Sequence, residues 1–185
     1  MPSLKRKRVI SKCRYVISVD IGVVNFAYAI LDTKLNETVA VENKQVCPWK
    51  GSKDYVKMTE TVVGFFRDSL GAVPMISGWD DVELVIERQM KSGIMRIFAV
   101  SLEVAWFHHS GRRAIVISPQ SVKRHFGTST GKYASNKKAA LDLMPSICVK
   151  HPLMRSKWVS LCANNDKIDD LADAIIQAFY FSETR

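Results

Sequence analysis

Two runs of β-branched and apolar residues, YVISVD (15–20) and FAYAILD (26–32), are separated only by IGVVN, and this pair limits the possible folds more than any other feature. Both runs have strand length and strand composition, so they predict a β-hairpin at the start of the folded region. ETVAVENKQV (37–46) adds a third strand. CPWKGS then breaks the pattern, and a helix is expected from about Asp54 to Leu70. VELVIE (82–87) reads as a short buried strand, and RRAIVIS as a fifth strand closed by Pro119. Between them GIMRIFAVSLEVAWFHH is apolar almost all round, which suits a buried helix or one that seats a second copy of the chain. Two short helices, about 121–126 and 136–143, flank the basic stretch GTSTGKYASNKK. A loop containing KHPLMRSKW then leads to a terminal helix. Three strands, helix, strand, helix, strand and helices is the order of an α/β fold, with no internal repeat.

The chain has 185 residues, enough for one domain that buries roughly two-thirds of its unfolded surface. A basic tail is expected over residues 1–14, with KRKR (5–8) as a nuclear signal or a phosphate-contacting arm, and a single domain over 15–185. No apolar run is long enough to span a bilayer, and no signal-peptide pattern is present, so no membrane partner is expected. The four cysteines are scattered without a C-x-x-C pair, as in a reduced intracellular protein. Cys148, His151 and Cys162 have irregular spacing and no fourth ligand, which argues against structural zinc. With 27 Lys+Arg against 18 Asp+Glu the formal charge is +9, which favours a polyanionic partner, nucleic acid before membrane.

Against this basic background the acids are placed unevenly. In NNDKIDDLADAIIQAF (164–179), Ile168, Leu171, Ala172, Ile175, Ile176 and Phe179 form a core stripe, with the aspartates on the opposite face. Asp166 and Asp169 suit the helix start, as N-cap and capping-box partner. Asp170 and Asp173, at i and i+3, are not explained that way, because like charges at this spacing destabilise a helix by roughly 0.2–0.5 kcal/mol. A divalent cation reverses that sign, and carboxylate clusters suit hard ions such as Mg²⁺ or Mn²⁺. Asp20 and Glu87 each end an apolar strand, on the side where open α/β sheets place their ligand sites. Two strand-end acids and an Asp-x-x-Asp pair have the makings of a two-metal phosphodiesterase centre, with ions roughly 4 Å apart on the scissile phosphate.

Four motifs, VISVDIGVVNFAYAIL, LVIERQ, SPQSVKRHFG followed by NKK, and KIDDLADA, together resemble the RNase H-like Holliday junction resolvases. The nearest resemblance is to the poxvirus-type resolvases of large DNA viruses, with bacterial RuvC and the yeast mitochondrial resolvases more distant. It implies a five-stranded mixed sheet, three strands antiparallel and then two parallel, flanked by helices. It also implies a homodimeric endonuclease that makes paired cuts in four-way DNA junctions, using Mg²⁺ or Mn²⁺, with two ions per active site. Carried over residue by residue, it assigns catalysis and metal binding to Asp20, Glu87, Asp170 and Asp173. It also implies a lysine near the scissile phosphate, for which Lys137 is the first candidate, with Lys138, Lys132 and Lys123 behind it. Lys123, Arg124, Lys132, Lys138, Arg88 and Lys91 are the candidate DNA-contacting cations. Three other readings stand beside this one: an RNase H-like nuclease for hybrids or linear duplexes, a non-catalytic junction binder, and an actin-like phosphotransferase, for whose two lobes the chain is short.

Overall fold

The computed structural model describes residues 13–22, 24–45, 55–71, 73, 76, 78–89, 93–128, 133–165 and 167–185. The KRKR run, CPWKGS, Lys91, Lys132 and Asp166 lie outside them. Five strands form one sheet: β1 (Tyr15–Ile21), β2 (Asn25–Asp32), β3 (Glu37–Gln45), β4 (Val82–Glu87) and β5 (Ile115–Ile117). Their order is β3-β2-β1-β4-β5. β1–β2 and β2–β3 pair antiparallel, whereas β1–β4 and β4–β5 pair parallel, as expected.

Strand alternation divides the interior into two cores. Tyr15, Ile17, Val19 and Ile21 of β1, with Val82, Leu84 and Ile86 of β4, face helices α1 (Tyr55–Gly71) and α2 (Gly93–Ser110). On this side Phe65 packs edge-on against Phe26 and Tyr28, with ring centroids 5.0 and 4.8 Å apart. Val16 and Val85, with Ala27, Ala29 and Leu31 of β2, face the opposite way. That face is covered by α3 (Pro119–His125), α4 (Tyr133–Lys150), α5 (Pro152–Asn164) and α6 (Ile168–Thr184).

The β2–β3 connection is organised by Asp32, whose side chain is fully buried. Its Oδ1 accepts hydrogen bonds from the backbone N–H groups of Lys34 (2.9 Å) and Leu35 (3.1 Å), and Oδ2 accepts one from Arg14 Nε at 3.2 Å. This Asx-type turn lets Asn36 take a left-handed φ of 54°. Arg14 and the buried Cys13 therefore belong to the packed structure.

The helices after β5 differ most from expectation. α4 runs on to Lys150 through Pro145, because the extra turns bury Met144, Ile147 and Cys148 against the α6 side of the sheet. The KHPLMRSKW stretch, expected as a loop, opens α5. Pro152 stands in its first turn, where a missing N–H costs nothing.

Asp32→Ala leaves two backbone N–H donors and a guanidinium without their buried acceptor. It is expected to destabilise the fold by roughly 2–4 kcal/mol, read as a lower urea midpoint with unchanged m-value.

Candidate active site

The parallel register between β1 and β4 ends at Val19 opposite Ile86, so Asp20 and Glu87 follow as neighbours where the two strands finish. Alternation aims both away from the α1–α2 core, towards the face that carries α6. On α6, Asp170, Asp173 and Gln177 fall at i, i+3 and i+7 along one stripe. Gln177 is 3% exposed, and its Nε2 donates to the carbonyls of Val19 and Val85, both at 3.3 Å. That contact seats the helix over the β1–β4 seam and brings Asp173 to the strand ends one turn earlier.

Helix α6 is not one-sided. Besides the predicted stripe, Ala174, Gln177, Ala178 and Phe181 are buried, because the helix also packs on the sheet along the Gln177 flank while α3 and α4 cover it from the side. The expectation that Asp170 and Asp173 oppose the core is thereby corrected. Asp173 is half-buried in a small pocket with Glu87, Lys123, Thr128 and Gln177. The expected capping box of Asp166 and Asp169 rests on a residue outside the described ones. The helix is preceded by Lys167, which makes no side-chain cap, and Asp169 pairs with Lys137.

Electrostatics tie the four acids into one site. Burial raises the Asp20 carboxyl well above the ordinary aspartate range, and Asp173, Glu87 and Asp170 add to it by like-charge repulsion. Burial and then Glu87 push Asp173 up to about 7, against the pull of Lys123 and Lys137. Glu87 is raised chiefly by burial, with Lys123 opposing. Lys137 Nζ donates to Asp169 Oδ2 and, at 3.2 Å, to Asp170 Oδ1. Burial disfavours its ammonium, but these two carboxylates outweigh burial and hold its pKa above the usual lysine range.

The expected catalytic lysine thus stands beside the acids. Lys123, expected as a DNA contact, reaches further in and faces Glu87 and Asp173. Arg124, Lys138 and Arg88 are exposed around the same end of the sheet. Lys91 and Lys132 fall outside the described residues. Gln177 escaped the sequence reading because a lone glutamine in an apolar stripe carries no motif.

Among the described residues, no three of these side chains close into a finished metal shell. The set nonetheless fits a hard divalent cation: its donors are all carboxylate oxygens, and crowding leaves them short of positive charge. Asp173→Asn removes one repelling charge and is expected to raise the Tm of the protein in EDTA by about 2–4 °C for each kcal/mol relieved, measured by calorimetry.

A family model described as Poxvirus A22 protein matches residues 14–182. No curated protein matches the chain by sequence. Among solved structures, the chain is similar to T. thermophilus RuvC in complex with a Holliday junction substrate, at a TM-score of 0.60 and 13% identity over 92% of this chain and 95% of that one. A second Thermus thermophilus RuvC structure is similar at a TM-score of 0.56 and 9% identity, covering 92% of this chain and 96% of that one. The yeast mitochondrial Holliday junction resolvase Ydc2 is similar at 0.61 and 14% identity, covering 92% of this chain and 78% of that one. These likenesses establish a fold shared with junction resolvases.

Proposed function

The chain belongs to the Poxvirus A22 protein family, and we propose that it is a divalent-metal-dependent endonuclease that resolves four-way DNA junctions by paired phosphodiester cleavage. One observation carries this reading: the sheet register and α6 bring Asp20, Glu87, Asp170 and Asp173 to one end of a fold shared with junction resolvases. An acidic centre in a chain of formal charge +9 suits a substrate that is itself a polyanion and must be held while it is cut.

Asp20, Glu87, Asp170 and Asp173 would hold Mg²⁺ or Mn²⁺, two ions in our reading, and the bound metal supplies an acidified water and charge neutralisation at the scissile phosphate. The protein's own groups do the rest. Burial and mutual repulsion keep the carboxylates poised to exchange protons for cations. Lys137, oriented by Asp169 and Asp170, presents an ammonium at the rim, and Lys123 presents another within the pocket, each able to face a phosphoryl oxygen. Arg88, Arg124 and Lys138 steer the backbone from the surrounding surface.

We further propose a homodimer. On α2, Ile97, Val100, Val104 and Phe107 form an exposed apolar stripe at i, i+3, i+7 and i+10, with Val104 63% and Phe107 57% exposed. The opposite side of the same helix buries Phe98, Leu102 and Trp106. Contiguous exposed apolar surface of this kind marks an interface, and two copies present two sites to two opposed strands. As a member of a poxvirus family, the protein is expected to act inside the infected cell, in cytoplasm or nucleus.

Wild-type protein with Mg²⁺ should cut a four-way junction well ahead of a linear duplex or an RNA–DNA hybrid, and should not cut in EDTA. Asp20→Asn or Asp170→Asn should lower cleavage at least about a thousandfold, a loss of roughly 4 kcal/mol of transition-state stabilisation. Junction binding by gel shift should persist. Wild-type rates in both variants, or preferred cutting of the hybrid, overturn the reading. For the dimer, Val104→Glu should give a monomeric mass by sedimentation at micromolar concentration, with wild type dimeric.

A further inference from the structure

Gln177 is the one buried side chain of α6 with hydrogen-bonding capacity, on a face otherwise made of alanine, isoleucine and phenylalanine. A buried amide costs stability unless its polar atoms find partners. Here the NH₂ group bridges two strands, donating to Val19 on β1 and Val85 on β4. An apolar residue of similar volume would fill the same space without fixing the helix along its axis, because apolar contact has no direction. Two hydrogen bonds from one amide fix both the height and the rotation of α6 above the seam.

The spacing shows what that does. Gln177 lies four residues after Asp173, about 6 Å along the helix at 1.5 Å per residue. Val19 lies one residue before Asp20 and Val85 two before Glu87, or about 3.3 and 6.6 Å along the strands. The helix start and the strand ends meet at the acids, so stepping back from Gln177 along α6 and forward from its two acceptors along the strands arrives at the same place. Ser18, fully buried on this same face, makes no hydrogen bond through Oγ. At this level, Gln177 therefore supplies the polar contacts between helix and sheet.

We propose that Gln177 is a positioning residue: its two hydrogen bonds to the β1 and β4 carbonyls fix the distance between Asp173 on the helix and Asp20 and Glu87 on the strands, and so set the geometry in which a divalent ion is bound. The proposal rests on the metal-dependent reading above and adds to it a device outside the carboxylates.

The test compares Gln177→Met, which keeps length and volume but has no donor, with Gln177→His, whose single Nε2–H can restore one of the two hydrogen bonds. The main readout is direct: Mn²⁺ titrated into each protein without DNA, the bound fraction followed by electron paramagnetic resonance. Because a partly unfolded population would itself raise the apparent midpoint, each variant is first shown by circular dichroism to be as fully folded as wild type under the titration conditions. Gln177→Met should shift the Mn²⁺ midpoint upward by about 10-fold or more, and Gln177→His, which keeps one of the two bonds, should shift it clearly less, in keeping with the 10–100-fold effects of groups that orient metal ligands. The metal concentration for half-maximal junction cleavage should move in parallel, with junction affinity in EDTA unchanged. A wild-type midpoint in Gln177→Met, or an equal shift in both variants, overturns the proposal. If wild type itself neither binds Mn²⁺ nor cuts with it, the failure lies in the metal-dependent reading.

Discussion

The close seating of α6 on the sheet is the contact on which the chemistry of this molecule depends. Ala172, Ala174 and Ala178 are completely buried, and their short side chains let the helix axis approach the strands. At a larger separation the short side chain of Asp173 would lose its strand-end partners. Ile175, Ile176, Phe179 and Phe181 then fill the space on either side and make the approach favourable through apolar burial. The terminal helix is thus at once a central element of the second core and the carrier of half the acidic site.

This arrangement sets stability against function. Apolar burial of α6 drives Asp173 into a half-buried pocket beside Glu87, where its ionised form is disfavoured. Asp20 is in the same position, with three other carboxylates close enough to raise it further. Lys137 and Lys123 offset part of the charge but are attached to different elements, α4 and α3. The site is therefore built from five separate elements, β1, β4, α3, α4 and α6, and the two cores hold the cluster together against its own repulsion. Such tension is physically sensible where a cation and a phosphate are to arrive from outside, because their charges complete what the protein leaves incomplete.

Much of this was legible along the chain. The alternation in YVISVD and the compact VELVIE run identify two strands and place an acid at the end of each, because a strand's period of two needs only neighbouring residues to show itself. The Asp170–Asp173 pair stood out for a similarly local reason, its spacing on a helix. Less visible was the path after β5, where a helix was expected to end near 143 and KHPLMRSKW to form a loop. Pro152 sits in a first turn, and Pro145 is carried by a helix whose far end packs on α6, so tertiary burial overrides local preference. The direction of Asp173 was misread because a helical wheel reports periodicity but not how many neighbours a helix has.

The sequence by itself determined the five strands and their order along the chain, the four candidate carboxylates and the excess of positive charge, since each follows from residue type and short-range spacing. Only the tertiary structure decided that Asp169 serves Lys137, that Lys123 enters the acidic pocket, and that Gln177 joins α6 to both site-bearing strands. Those pairings join residues far apart in the chain. They exist because α3, α4 and α6 share one face of the sheet, a packing relation that no local pattern encodes.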